Sequence, residues 1–215
     1  MNDIETHVLE LIGESTSSPD VFTDDATGMA PIRDSINDAI EEISMLTGSY
    51  KRNYRLFCVS GQNFYRFRFT KDSMAWITDA WVSGLRRRLE QYDPIRMVGE
   101  NPRWLFNSGN PVVYMPIGLD VVALWPAPAD ESLYIDFTMV MIPGRYAEDT
   151  DRIKLKDSFK WAAANYAVSE YYASRGDAKQ AIYYWQKYLE GLGLQVMYPK
   201  AAEKPWRAKS QDVVR

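Results

Sequence analysis

Cysteine and histidine are almost missing from this chain, which holds one of each, Cys58 and His7, in 215 residues. A single cysteine excludes an internal disulfide framework and a cysteine-rich zinc site. With no second histidine and no pairable thiol, zinc hydrolysis and Cys–His or Ser–His catalysis lack their basic parts. Phosphate-cradling loops are missing too. Neither Gly-x-x-x-x-Gly-Lys-Ser/Thr nor a Gly-x-Gly-x-x-Gly turn after a strand occurs, so nucleotide binding has no signature. No apolar run approaches the ~20 residues of a membrane span. The opening Met1-Asn2-Asp3-Ile4-Glu5 is acidic where a secretion signal carries a basic flank, so neither membrane insertion nor export is expected. No carboxylate pair stands out in an aromatic cleft as glycoside chemistry would require. The expectation is a protein without enzymatic activity, without a cofactor and without a metal site.

What the chain has in excess is aromatic residues, 13% of the total with seven Trp and fourteen Tyr. They suit a thick core and protein–protein interfaces equally, since each covers a large apolar area while keeping a polar tip. Hydrophobic content of 46% and charged content of 25% are those of an ordinary globular chain, and this length supports one sizeable core with an insertion or an arm. The net charge of -4 is unevenly spread. Residues 1–50 hold eleven acidic side chains against the single base Arg33, whereas residues 51–100 hold ten bases and five acids. Such polarity serves subunit stacking or a channel, or it reflects solvated faces.

Periodicity divides the chain into four parts. Ile4, Val8, Leu11 and Ile12 share one helical face, and a loop rich in Ser, Thr, Asp and Pro follows over 15–30. A second helix starts at Pro31, aligns Ile32, Ile36, Ala39, Ile40 and Ile43, and stops at Gly48. Its other face carries Asp34, Asp38, Glu41 and Glu42, spaced as a solvent face rather than as metal ligands. The period then becomes two. Tyr54, Leu56 and Cys58 alternate, and after Ser60-Gly61-Gln62-Asn63 so do Tyr65, Phe67 and Phe69, which predicts a β-hairpin with an aromatic inner face and a buried, inert Cys58. Strands are expected over Ala75–Val82 and Leu85–Glu90, a short helix or turn at Asp93–Met97, and three adjacent antiparallel strands over Val112–Met115, Leu119–Trp125 and Leu133–Ile142. A helical period returns from Leu155 to Tyr171, with Gly176 placed to end the helix and Asp177 to cap the next. That last helix is expected to bury Ala178, Ala181, Ile182, Trp185, Leu189 and Leu192. His7, among Glu5, Thr6 and Glu10, is expected at the surface.

The predicted fold class is therefore α+β. A helical bundle is built from N- and C-terminal helix pairs (1–49 and 144–194), with an inserted antiparallel β lobe (50–143) and an extended arm (195–215). In the basic run Arg86-Arg87-Arg88 a strand turns Arg87 away from its neighbours. That favours a sheet-face or subunit contact over DNA binding.

The run Val121-Val122-Ala123-Leu124-Trp125 with its Pro126-Ala127-Pro128 turn, the strand Leu133-Tyr134-Ile135-Asp136-Phe137 and the exit Met141-Ile142-Pro143 resemble the core of head-to-tail adaptor proteins of tailed bacteriophages. The helix from Leu155 to Tyr172, Gly176-Asp177 and the helix from Ala181 to Leu192 resemble the closing helix pair of that family, whose short-tailed relatives include head completion and tubular tail proteins. The resemblance spans roughly residues 30–194. It implies a virion protein forming a ring, usually of twelve copies, at the phage neck. Portal protein would sit above it and a tail or nozzle protein below, with double-stranded DNA passing through without sequence preference. On this reading Asp34, Asp38, Glu41 and Glu42 line the channel. The arm, with Pro199 and Pro205 breaking any helix, grips the portal through Lys204, Trp206, Arg207 and Lys209. A stopper or tail-tube initiator of similar plan, and a nucleic-acid or peptide-binding module using Arg66, Arg68 and Arg86–Arg88, are the alternatives.

Overall fold

The computed structural model describes residues 3–13, 30–147 and 153–193. The expected arm lies outside them, as does the loop over 15–30 apart from Ala30. Helices α1 (Asp3–Ile12) and α2 (Ala30–Thr47) come first. Strands β1 (Lys51–Phe57), β2 (Phe64–Arg66), β3 (Ser73–Val82), β4 (Arg87–Arg88) and β5 (Glu90–Gln91) lead to the short α3 (Pro94–Glu100). Then come β6 (Ser108–Gly109), β7 (Val113–Pro116), β8 (Val121–Trp125), β9 (Ala127–Pro128) and β10 (Tyr134–Ile142). Helices α4 (Asp157–Ser174) and α5 (Ala178–Gly191) close the order. N- and C-terminal helices pack together and the sheets are inserted between them, the α+β plan expected from the period changes.

The helices share one core. Ile32, Ile36, Ala39, Ile40 and Ile43 of α2 are buried together with Ile4, Val8 and Leu9 of α1 and Ala162, Ala163, Ala164, Ala167 and Val168 of α4. Each fully buried isoleucine contributes about 1.5–3 kcal/mol, so α2 is held by its apolar stripe rather than by intrinsic propensity. Small residues let α4 and α5 approach closely: a Cβ on Gly191 would lie 3.0 Å from that of Ala162. Between these helices Gly176 takes φ +79, and Asp177 caps α5 by accepting from the Gln180 N–H at 3.1 Å.

The lobe consists of two four-stranded sheets, ordered β1-β10-β3-β4 and β2-β8-β7-β5, with a short β6-β9 pair. All pairings are antiparallel except β5 with β7 and β6 with β9. Two expected pairings are corrected. The segments 51–58 and 64–69 do not form a hairpin, because β1 pairs with β10 and β2 with β8, in different sheets. Likewise β10 is not the neighbour of β8; it lies between β1 and β3. The inward faces were nonetheless legible. Leu56 and Cys58 from one sheet and Tyr65 and Phe67 from the other enter one core, where the Phe67 and Phe137 rings meet edge-on at 5.3 Å. Alternation marks which face is apolar; it does not say whether two such faces lie side by side or opposite.

Two further expectations change. Leu85–Glu90 is not one strand: a 3-10 turn covers Ser83–Leu85, Arg86 adopts φ +47, and only Arg87 and Arg88 pair with β3. On α5 the buried residue is Tyr188, whereas Ile182 is 55% and Trp185 37% exposed. The bundle therefore covers a face rotated away from the expected stripe.

Candidate docking surfaces

The bundle and the β lobe meet at a charged junction centred on Asp72, in the loop before β3. Its side chain is 2% exposed. The carboxylate accepts from the Lys154 Nζ at 2.7 Å, the Tyr50 hydroxyl at 2.9 Å, the Gly144 N–H at 3.1 Å and the Arg52 guanidinium at 3.3 Å. These donors come from the link between α2 and β1, from β1 itself, and from the segment linking β10 to α4. Burial alone would raise the Asp72 carboxyl. Lys154, Gly144 and Tyr50 outweigh it and hold it below the ordinary carboxylate value. Gly144 packs so closely that an added Cβ would fall 2.6 Å from the Lys71 carbonyl oxygen. Nothing in the local period of Thr70-Lys71-Asp72 announces this junction, since its partners are separated from it by as many as 82 residues.

The four α2 carboxylates do not behave alike. Asp34 and Asp38 are exposed and both pair with Arg145. Glu42 turns into the bundle and accepts from the Tyr188 hydroxyl at 2.8 Å, so its place on a purely solvent face is corrected. Burial and Glu42 together raise the Tyr188 hydroxyl far above its ordinary range. Glu41 is half-buried. Lys204, Trp206, Arg207 and Lys209 lie outside the described residues.

His7 is half-buried rather than free at the surface. Its ring stands edge-on to Trp161 with centroids 3.5 Å apart, and Nδ1 lies 3.6 Å from the Glu10 carboxylate. Burial pulls its pKa below the ordinary histidine value, against the opposing pull of Glu10. Cys58 is buried and its thiol is pushed up to about 11 by desolvation, which leaves it protonated and inert at neutral pH.

The arginines proposed as one basic site are two separate groups. Arg66 and Arg68 line an open cleft of about 700 Å³ beside Asp72, Ser73 and Met74, and Arg66 pairs with Asp120 there. Arg87 and Arg88 sit opposite Val82 and Trp81. That is the other end of β3, about 30 Å away at ~3.3 Å per residue. Arg88 is bound to Asp79 at 2.7 Å. Among the described residues no cluster of three or more His, Cys, Asp or Glu is placed to hold a metal ion, and no helix is long and apolar enough to cross a membrane.

The described residues thus form a helical core and a two-sheet lobe joined at a buried carboxylate, with ion pairs and exposed aromatics on the surface. The SU10 adaptor protein model matches residues 2–212, so the chain belongs to the SU10 adaptor protein family, a family of phage head-tail adaptors. No curated protein matches it. Membership makes this a phage structural protein, implies a non-enzymatic role, and implies binding to virion partners.

Proposed function

We propose that this chain forms the ring, of twelve copies, that joins portal to tail at the phage neck and continues the DNA channel. The observation that carries the reading is its membership of the SU10 adaptor family over nearly its whole length. Asp34, Asp38 and Glu41 are the α2 carboxylates proposed to face the channel, where negative charge would repel phosphate and let DNA slide without sequence preference; Glu42, turned into the bundle against Tyr188, does not join them. Portal attachment is assigned to Lys204, Trp206, Arg207 and Lys209, a single large apolar anchor among cations. A tail or nozzle protein docks on the opposite side. Isolated protein is expected to be a monomer or weak oligomer that orders into a ring on the portal. Cryo-electron microscopy of the particle neck tests the reading: a ring of this chain between portal and tail supports it, and density there accounted for by other chains refutes it.

A further inference from the structure

The flank of α5 that the bundle leaves uncovered is an apolar shelf with an acidic border. Ile182 and Trp185 are exposed there. Trp185 leans on Tyr166 of α4 and on Tyr188, with ring centroids 5.8 and 5.1 Å apart. Glu42 stands at one side, bonded to the Tyr188 hydroxyl, and Glu170 is exposed one helical turn beyond Tyr166. Glu42 borders the shelf through Tyr188 and Glu170 through its i,i+4 spacing from Tyr166 on α4; burial, then Glu170, Glu42 and Asp38, raise the Tyr166 hydroxyl. Neither has a cation partner among the described residues.

The β lobe carries a projection of opposite character. Arg86, at φ +47, is the only non-glycine residue with a positive φ among the described residues. Backbone held in that region persists where its surroundings or its function require it. The turn presents Leu85, 44% exposed, together with exposed Arg86 and Arg87. Arg88 is committed to Asp79, while Arg86 and Arg87 have no acidic partner among the described residues.

We propose that the Leu85-Arg86-Arg87 turn of one copy docks on the Ile182–Trp185 shelf of a second copy, its two guanidiniums meeting Glu42 and Glu170. Two unpaired cations meet two carboxylates, and an exposed leucine meets an exposed isoleucine and tryptophan, the mixture that interface centres favour. Turn against turn, or shelf against shelf, would oppose like charges. The contact therefore joins different surfaces of identical chains, which is the head-to-tail type that repeats around a closed ring. It rests on the ring reading given above and supplies the lateral contact that reading needs.

A charge swap tests it. Full-length wild type, Arg87→Glu, Glu170→Lys and the combined double variant are each titrated onto purified portal rings, and bound copies per portal are counted by native mass spectrometry. Each single reversal is expected to weaken assembly at least about tenfold, with melting by circular dichroism unchanged, and the double variant to recover most of the loss. Arg86→Gly, which relaxes the backbone while removing a charge, is expected to weaken assembly and yet raise the melting temperature. Folded single variants that assemble like wild type, beside normal wild-type rings, overturn this contact and leave the ring reading standing. A wild type that forms no ring with or without portal overturns both. A folded double variant no better than its parents also overturns the contact.

Discussion

Replacing Asp72 with Asn removes one charge with almost no change of volume and strikes the junction between bundle and lobe. The wild-type carboxylate accepts from four donors, two of them the cations of Lys154 and Arg52. An Asn side chain has one acceptor oxygen, and its NH2 would point at another group that can only donate, either the Arg52 guanidinium or the Gly144 N–H. Hydrogen bonds to a buried charge contribute about 1.5–3 kcal/mol each, but Lys154 and Arg52 are roughly half exposed and regain hydration when released. The net loss is then about 2–3 kcal/mol at pH 7, below the ~3–5 kcal/mol for breaking a fully buried pair. The pH dependence has a definite sign. Because the folded-state pKa is depressed, the unfolded chain binds the proton more readily. The stabilisation is thus present above the ordinary carboxylate pKa of about 4 and lost as pH falls through the lower folded value. Urea denaturation followed by tryptophan fluorescence at pH 7 and at pH 3 measures both quantities. The gap between wild type and variant is expected to narrow at pH 3, where wild type has lost part of the same term. A gap below ~0.5 kcal/mol at pH 7, or one that does not narrow in acid, would refute the assignment.

Gly144→Ala is expected to cost about 1–3 kcal/mol, read as a lower urea midpoint, because the new methyl group meets the Lys71 backbone at 2.6 Å and a carbonyl cannot swing aside as a flexible side chain can. Cys58, buried and with its thiol raised to about 11, should resist a thiol-specific reagent at pH 8 in native protein and react only at the rate of unfolding; fast native labelling would contradict its position between the sheets. Removing residues 199–215 should leave helix content and melting nearly unchanged, since the helical and sheet cores of the described residues lie within 4–192, while portal attachment is lost. Trp206→Ala should weaken that attachment by ~2 kcal/mol, measured by calorimetric titration onto portal, and full affinity in the truncated chain would remove the arm from the interface.

The sequence by itself determined what depends on near neighbours along the chain. The isoleucine stripe of α2, the Gly176-Asp177 junction and the alternation through Leu56-Cys58, Tyr65-Phe67 and Leu133–Met141 each follow from a 3.6- or 2-residue period, so the order of elements, the inward faces and the inserted lobe were legible. Tertiary structure alone decided which of those faces meet. Nothing in β1 or β2 tells two facing sheets from one hairpin, because the side-chain pattern is the same in both, and the choice depends on β8 and β10 far along the chain. On α5 the helical period puts Ile182 and Trp185 on one apolar stripe and so predicts them in the core, yet both are exposed. The bundle instead covers the Tyr184–Tyr188 side, where the Tyr188 hydroxyl finds Glu42 and the Tyr184 hydroxyl reaches the Leu11 carbonyl. A buried hydroxyl needs a partner from another element. Asp72 is the extreme case, an unremarkable loop residue in sequence whose role exists only once Tyr50, Gly144 and Lys154 converge on it.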